Sequence, residues 1–361
     1  MITDRMRKEV SVKRKIYPSD IPLCAGKMRK IMKYPPGIPL CAGKMRRIMK
    51  CGIIIAMIAL GMTACGQTEK SAEEKPAAQQ ISSETPVLDT GVYEEAGTFQ
   101  REEEPQEDTV SYIVKEGDTI ESRILTSKGY SRNPAEEGSF ASFLRNYPLK
   151  EDQSPVLLYN GAQKRNQNAH IAVTKLPIEA EDLQQCADSV MRMYAEYFWQ
   201  TGQYERIAFH FVNGFSAEYT KWREGYRILV SGNEADWVKS ETFDDSYEAF
   251  VSYLRMVFAY AGTLSMEGES KEISLSQIAA GDVFLKGASP GHVVMILDIC
   301  ENADGKKAFL LGQGYMPAQE FHVLKNPLHE GDPWYYEEEV TYPFITPEYT
   351  FSEGSLRHLE Y

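Results

Sequence analysis

Apolar and polar positions change rhythm several times along the chain, and each change predicts an element. Phe140, Phe143 and Leu144 mark a short helix before Pro148, and residues 155–159 and 170–176 read as strands joined by a Gly/Asn/Gln-rich turn. Over residues 181–199, Leu183, Ala187, Val190, Met191, Tyr194 and Phe198 recur at helical spacing, one buried stripe. Asp188, Arg192 and Glu196 fall four apart on another ridge, predicting a solvated or interhelical ion ladder. Residues 207–215 and 226–231 read as strands. Asp245 followed by Glu248 has the form of a capping box. It opens a second helix, striped by Phe250, Leu254, Val257, Phe258 and Ala261, that stops at Gly262.

The last third carries the strongest pattern. Gly281-Asp282 launches a strand to Leu285, and His292 opens an unbroken apolar run through Leu297. Such a run is buried on both faces and predicts a central strand, with His292 at its rim where an imidazole meets solvent and substrate. A turn at residues 302–305 leads into 308–312, then Gln313 and Tyr315. With Glu301 paired to Lys306, Gln313 lies opposite Val294, on the face of His292 and one diagonal away; a one-residue slip sends it to the other face. Helices followed by an antiparallel meander make this an α+β domain.

The first 110 residues follow different rules. Residues 17–33 recur almost unchanged as 34–50, two copies with no face to bury, so residues 1–44 are read as a duplicated leader ahead of the true start near Met45. Residues 45–64 have the layout of a signal peptide: Arg46, Arg47 and Lys50, then about a dozen mainly apolar residues, too short to span a bilayer comfortably. Met62-Thr63-Ala64-Cys65 resembles the bacterial lipoprotein cleavage box, which implies acylation of Cys65 and a lipid bilayer as partner; an ordinary signal peptide or short anchor is the other reading. Residues 65–110 have the composition of a disordered acidic tether, and residues 111–361 form one globular domain. The expected location is the cell envelope, lipid-anchored outside the cytoplasm.

Charge and cysteine usage narrow the function. Residues 1–64 hold fourteen Lys/Arg and three Asp/Glu, leaving 25 basic against 49 acidic residues in the remainder. That balance repels phosphate backbones, and nucleic acid is excluded as a partner. Cys24, Cys41 and Cys51 leave with the leader and Cys65 is consumed by lipid, so Cys186 and Cys300 remain, read as two reduced thiols. His170, His210, His322, His329 and His358 show no metal-ligand spacing, no Gly-rich phosphate loop or Ser nucleophile elbow appears, and no cofactor is called for.

Two resemblances follow from these residues. The order helix, Gly281-Asp282 turn, strand, Gly291-His292 strand, hairpin, then a strand bearing Gln313 resembles the papain-like core of NlpC-type cell-wall peptidases and CHAP amidases, over residues 246–319. It implies an antiparallel sheet packed by two main helices, a cleft around His292, and cell-wall peptide or glycan as ligand. A longer resemblance, from about Gly129 to the C-terminus, is to the bacterial family called domain of unknown function 4846. Its carriers include Ser139-Phe140-Ala141, Tyr159-Asn160-Gly161, the run DLQQCAD at 182–188, Asn213-Gly214-Phe215 and Gly225-Tyr226-Arg227. Tyr260-Ala261-Gly262-Thr263, Ser289-Pro290-Gly291-His292 and the run YMPAQE at 315–320 continue it. It implies an envelope lipoprotein context and no established activity.

In the papain-like resemblance a Cys begins the second helix, but here that place falls near Tyr247, a poor nucleophile at its ordinary pKa of about 10. The expectation is therefore a cleft that binds cell-wall peptide or glycan without the usual thiol, with Tyr247 as its wall. The alternative is an active peptidoglycan hydrolase or amidase using Cys186 as thiolate, His292 as base and Gln313 as orienting residue, which requires the first helix to replace the second at the sheet. A scaffold binding nothing small is the third reading. Tyr315, Gln319 and Glu320 line the mouth. Lys221-Trp222 with Tyr226-Arg227 form either an aromatic and cationic wall for ligand, through Trp222 and Arg227, or edge packing. Cys300, at the far end of its strand, has no role.

Overall fold

A computed structural model describes residues 111–288 and 290–361. The segments read above as leader, signal peptide and tether, and Cys65 with them, lie outside the described residues. The chain runs α1 (Ile120–Arg123), β1 (Tyr130–Arg132), α2 (Phe140–Arg145), β2 (His170–Val173), α3 (Cys186–Gln200), β3 (Ala208–His210) and β4 (Ser216–Glu218). Then come α4 (Tyr219–Arg223), β5 (Tyr226–Ser231), β6 (Glu234–Lys239), α5 (Tyr247–Tyr260), α6 (Thr263–Gly268), β7 (Ser270–Glu272) and β8 (Val283–Lys286). The C-terminal part holds β9 (His292–Asn302), β10 (Lys307–Gln313), β11 (His322–Leu324), β12 (Tyr335–Tyr336), β13 (Phe344–Ile345), β14 (Thr350–Phe351) and β15 (Leu356–Leu359).

Nine strands make one antiparallel sheet, ordered β2-β11-β10-β9-β8-β15-β7, with β1 also on β9 and β12 also on β10. The domain is α+β. As its unbroken apolar run requires, β9 is buried on both faces. Val293, Met295 and Leu297 enter the core shared with the helices, whereas Val294, Ile296 and Ile299 enter a second core with Phe284, Phe309, Phe344 and Phe351. Segments from the last forty residues close that second face.

The β9–β10 register starts one residue away from the expected one, with Glu301 opposite Lys307. A bulge then absorbs the offset, because Leu310 pairs with Asp298 and Leu311 with Ile296. Beyond it Gly312 faces Met295, so Gln313 arrives opposite Val294 by a different route from the one the turn predicted. The bulge decides which face Gln313 occupies.

The long helices are capped by polar side chains. Asp188 accepts the backbone N–H of Gln185 at 2.9 Å, which starts α3 at Cys186 rather than at 181. Ser246, not Asp245, caps α5 by accepting from the Ala249 N–H at 3.2 Å. The two helices do not share the sheet equally: α3 packs on β9 and β10, while α5 packs on α3 and α4. Residues 155–159 form isolated bridges rather than a strand, with Leu158 opposite Gln319.

Candidate functional site

β9 enters the sheet at His292 immediately after Gly291, where a Cβ would lie 2.2 Å from Thr263 Oγ1 and 2.5 Å from the Ala288 carbonyl. Only a glycine passes there, and this sets the position of the imidazole that follows. His292 Nε2 lies 2.8 Å from Gln313 Oε1 across the β9–β10 pair. Gln313 is fully buried, and its Nε2 is 2.8 Å from Glu348 Oε2 and 3.4 Å from His322 Nε2. Lys164 Nζ forms an ion pair with the same Glu348 oxygen and sits 3.5 Å from His322 Nε2. His322 Nδ1 is 2.9 Å from the Glu320 carbonyl oxygen. Five segments, around Lys164, His292, Gln313, His322 and Glu348, meet in one polar cluster.

Aromatic rings cover the imidazole. Tyr315 and Tyr349 have ring centroids 4.8 Å from that of His292, and Phe351 lies at 6.1 Å. His292 is consequently 3% exposed, covered rather than open at a rim. Burial pushes its pKa down to about 4, with the Gln313 bond opposing the shift, so the ring is neutral at neutral pH. His322 is held well below the ordinary histidine value by burial and then by the charge of Lys164. Lys164 is itself lowered by burial, against the pull of Glu348.

Cys186 stands at the first position of α3, buried and unpaired to any other cysteine, as is Cys300. The backbone amides of Ala187, of Val293 (the residue after His292) and of Cys186 itself are close enough to its sulfur to pull the thiol pKa down. These donors favour a thiolate, but burial outweighs them, with the Asp188 carboxylate adding to it, and pushes the thiol up to about 11. The same first turn sits on the end of β10: a Cβ on Gly314 would lie 2.4 Å from Ser189 Oγ and 2.9 Å from the Gln185 carbonyl oxygen. The helix that begins with the thiol thus rests on Gly314, the chain neighbour of Gln313, and packs on β9, which His292 begins.

The remaining sequence candidates fall in several places. Tyr315 is in the cluster. Tyr247 does not wall His292: its hydroxyl donates to Glu196 Oε1 at 2.6 Å, and its ring packs on Trp199 with centroids 5.1 Å apart. Trp222 and Arg227 stack on each other, the guanidinium 4.3 Å from the indole centroid, with Arg227 also paired to Glu241. Glu320 contributes its carbonyl oxygen, while its carboxylate is taken by Lys150 at 2.5 Å and the Leu157 N–H at 3.0 Å. Gln319 is buried and donates to the Pro317 carbonyl at 3.1 Å. The expected ion ladder is a buried cluster instead. Arg192 bonds Glu179 at 2.9 Å, Gln184 at 2.8 Å and Glu196 at 3.3 Å, whereas Asp188 caps its own helix. Among the described residues no group of three or more His, Cys, Asp or Glu is arranged to hold a metal ion.

Lys164, Glu348 and Tyr349 escaped the sequence reading because nothing local marks them. Each lies in an irregular segment, and His322 was weighed only as a metal ligand. A Thr346-Pro347 turn preceding Glu348 is the one signal that the chain doubles back there.

A family model described as domain of unknown function (4846) matches residues 120–358, the whole of the sheet and every residue of the cluster. The chain belongs to this family. Searches of curated proteins and of solved structures found no match. Within the family domain, the cluster around His292 and the thiol at the head of α3 are the chemistry-bearing groups that the fold brings to one end of the sheet.

Proposed function

We propose that the domain is a papain-like thiol hydrolase or amidase, with Cys186 as nucleophile, His292 as base and Gln313 as the residue that orients the imidazole. The observation that carries this reading is the seating of the first turn of α3 on Gly314, next in sequence to Gln313, with the helix packed on β9, the strand that His292 begins. It meets the condition that the first helix, not the second, lies at the sheet. The contrary expectation of a missing nucleophile rested on Tyr247, which is engaged with Glu196 instead.

The chemistry follows from the groups present. His292 Nε2 is tied to Gln313, so Nδ1 is the nitrogen that takes the thiol proton. The sulfur attacks an amide carbonyl, the imidazolium returns the proton to the leaving amine, and the C–N bond breaks to leave a thioester. Water, deprotonated by the same Nδ1, then releases the acid and the thiol. In the covered state a thiol near 11 and an imidazole near 4 remain neutral, so turnover requires the 346–349 turn and Tyr349 to move and admit substrate. The substrate class is a peptide amide of the cell wall, reached from a lipid anchor on Cys65 at the envelope.

A binding cleft without chemistry is the second reading, favoured by the burial of His292. Peptidoglycan fragments incubated with the full chain separate the two. Product from the wild type that is lost in Cys186→Ala and in His292→Ala supports hydrolysis, and equal product from all three ends it. Fragment retention without product, lost in His292→Ala, supports binding.

A further inference from the structure

We infer that Glu348 and His322 are positioning residues that set the tautomer of His292 through the Gln313 amide. The inference deepens the thiol-hydrolase reading and rests on it for its catalytic consequence, though the tautomer itself is a property of the folded protein.

The chain of hydrogen bonds begins at a group that has no choice. The Glu320 carbonyl oxygen can only accept, so His322 Nδ1 at 2.9 Å carries the proton that is donated to it. A neutral imidazole with a protonated Nδ1 has a bare Nε2. His322 is fully buried and stays neutral, with Lys164 beside it, so this Nε2 is an acceptor. One end of the Gln313 amide lies 3.4 Å from that nitrogen and 2.8 Å from Glu348 Oε2. Both neighbours accept, and an amide NH2 has two protons to give. The opposite orientation would set the amide oxygen against a carboxylate oxygen and an imidazole lone pair at the same distances.

The NH2 end therefore faces Glu348 and His322, and Oε1 faces His292. Oε1 can only accept, so His292 Nε2, 2.8 Å away, is protonated and Nδ1 is bare. That is the tautomer a general base needs: the proton-accepting nitrogen is free, and its partner is held by a group that cannot give a proton back. Lys164 completes the arrangement. Its ammonium pairs with the Glu348 oxygen that accepts from Gln313, and Asn166 Nδ2 holds the other oxygen at 3.0 Å, which keeps the carboxylate aimed at the amide.

Removing the carboxylate weakens the preference. With Glu348 gone, the Lys164 ammonium turns to His322 Nε2, 3.5 Å away, which takes the remaining acceptor from that end of the Gln313 amide and frees it to rotate. Once rotated, the NH2 group faces His292 Nε2, which becomes the bare nitrogen, and the proton moves to Nδ1.

The test is the nitrogen spectrum of His292 in 15N-histidine-labelled full chain at neutral pH, assigned with His292→Gln. The wild type is expected to show a pyrrole-like Nε2 and a pyridine-like Nδ1. Glu348→Gln retains an oxygen toward Lys164 and Gln313 while Asn166 turns its own amide, so it keeps the wild-type pattern. Glu348→Met, of similar volume, is expected to mix or invert the two signals and to lower hydrolysis at least tenfold; Glu348→Ala serves where Met is not accommodated. A protonated Nδ1 in the wild type overturns the inference without any variant, and so does an unchanged pattern in a folded Glu348→Met or Glu348→Ala protein. A protein that shows the expected tautomers yet gives equal product from wild type and Cys186→Ala retains the positioning and loses the hydrolase reading.

Discussion

Gly314→Ala tests the contact on which the proposed site depends. Gly314 does not occupy the left-handed backbone region, so its requirement is space alone. The added methyl would lie 2.4 Å from Ser189 Oγ, 2.9 Å from Ser189 Cβ and 2.9 Å from the Gln185 carbonyl oxygen. The hydroxyl can rotate away, but the Cβ and the backbone oxygen cannot, so the first turn of α3 must lift from β10. Overpacking of this kind costs about 1–3 kcal/mol. For a domain of this size that lowers Tm by roughly 2–4 °C per kcal/mol. Ser189→Gly alone is expected to cost about 0.5 kcal/mol through helix propensity. Combined with Gly314→Ala it removes two of the three close contacts, so the double variant should be more stable than the sum by about 1 kcal/mol. Urea unfolding of the four proteins measures this coupling. A Gly314→Ala protein with unchanged stability, or strictly additive effects, would show that α3 is not seated on β10 and would remove the main support for Cys186 as nucleophile.

Two further outcomes follow from buried groups. The pKa of His292 falls from 6.5 to about 4 on folding, so the unfolded chain binds the extra proton between those values. The stabilising contribution is present above pH 6.5 and is lost as pH falls through 4, with a ceiling of about 3 kcal/mol. His292→Gln should therefore lose less stability than the wild type between pH 7 and 4.5; parallel curves from urea titrations would contradict the burial of a neutral ring. Arg192→Met leaves the fully buried Glu196 without its cation, whereas Glu179 retains Arg255. The expected loss is about 3–5 kcal/mol, and a calorimetric Tm within a degree or two of wild type would count against the ion cluster.

What could be read from the chain was whatever local periodicity encodes. The stripe through Leu183, Val190 and Met191 specifies α3, and the apolar run from His292 specifies a strand buried on both faces. Both follow from hydrogen-bonded geometry that repeats every few residues. Element boundaries were less legible. Asp188 reads equally well as a ladder charge or as a cap, and only its bond to the Gln185 N–H makes it the cap that starts the helix at Cys186.

The side of the sheet on which Gln313 falls was reached from an offset hairpin register and a compensating bulge at Leu310 and Leu311, a combination no turn motif announces. Which helix packs on β9 was decided by tertiary packing, because apolar stripes state that a helix has a buried face and not against what. α3 and α5 both carry such a stripe, and it is α3 that packs on β9 and β10, with its first turn close over Gly314. His322 and Glu348 reach Gln313, and Lys164 reaches both of them, from three other segments. Hydrogen bonds among buried groups depend on positions in space and leave no spacing along the chain. Sequence alone thus determined the two long helices, the central strand, the family and the pair His292 and Gln313, and the fold decided what meets them.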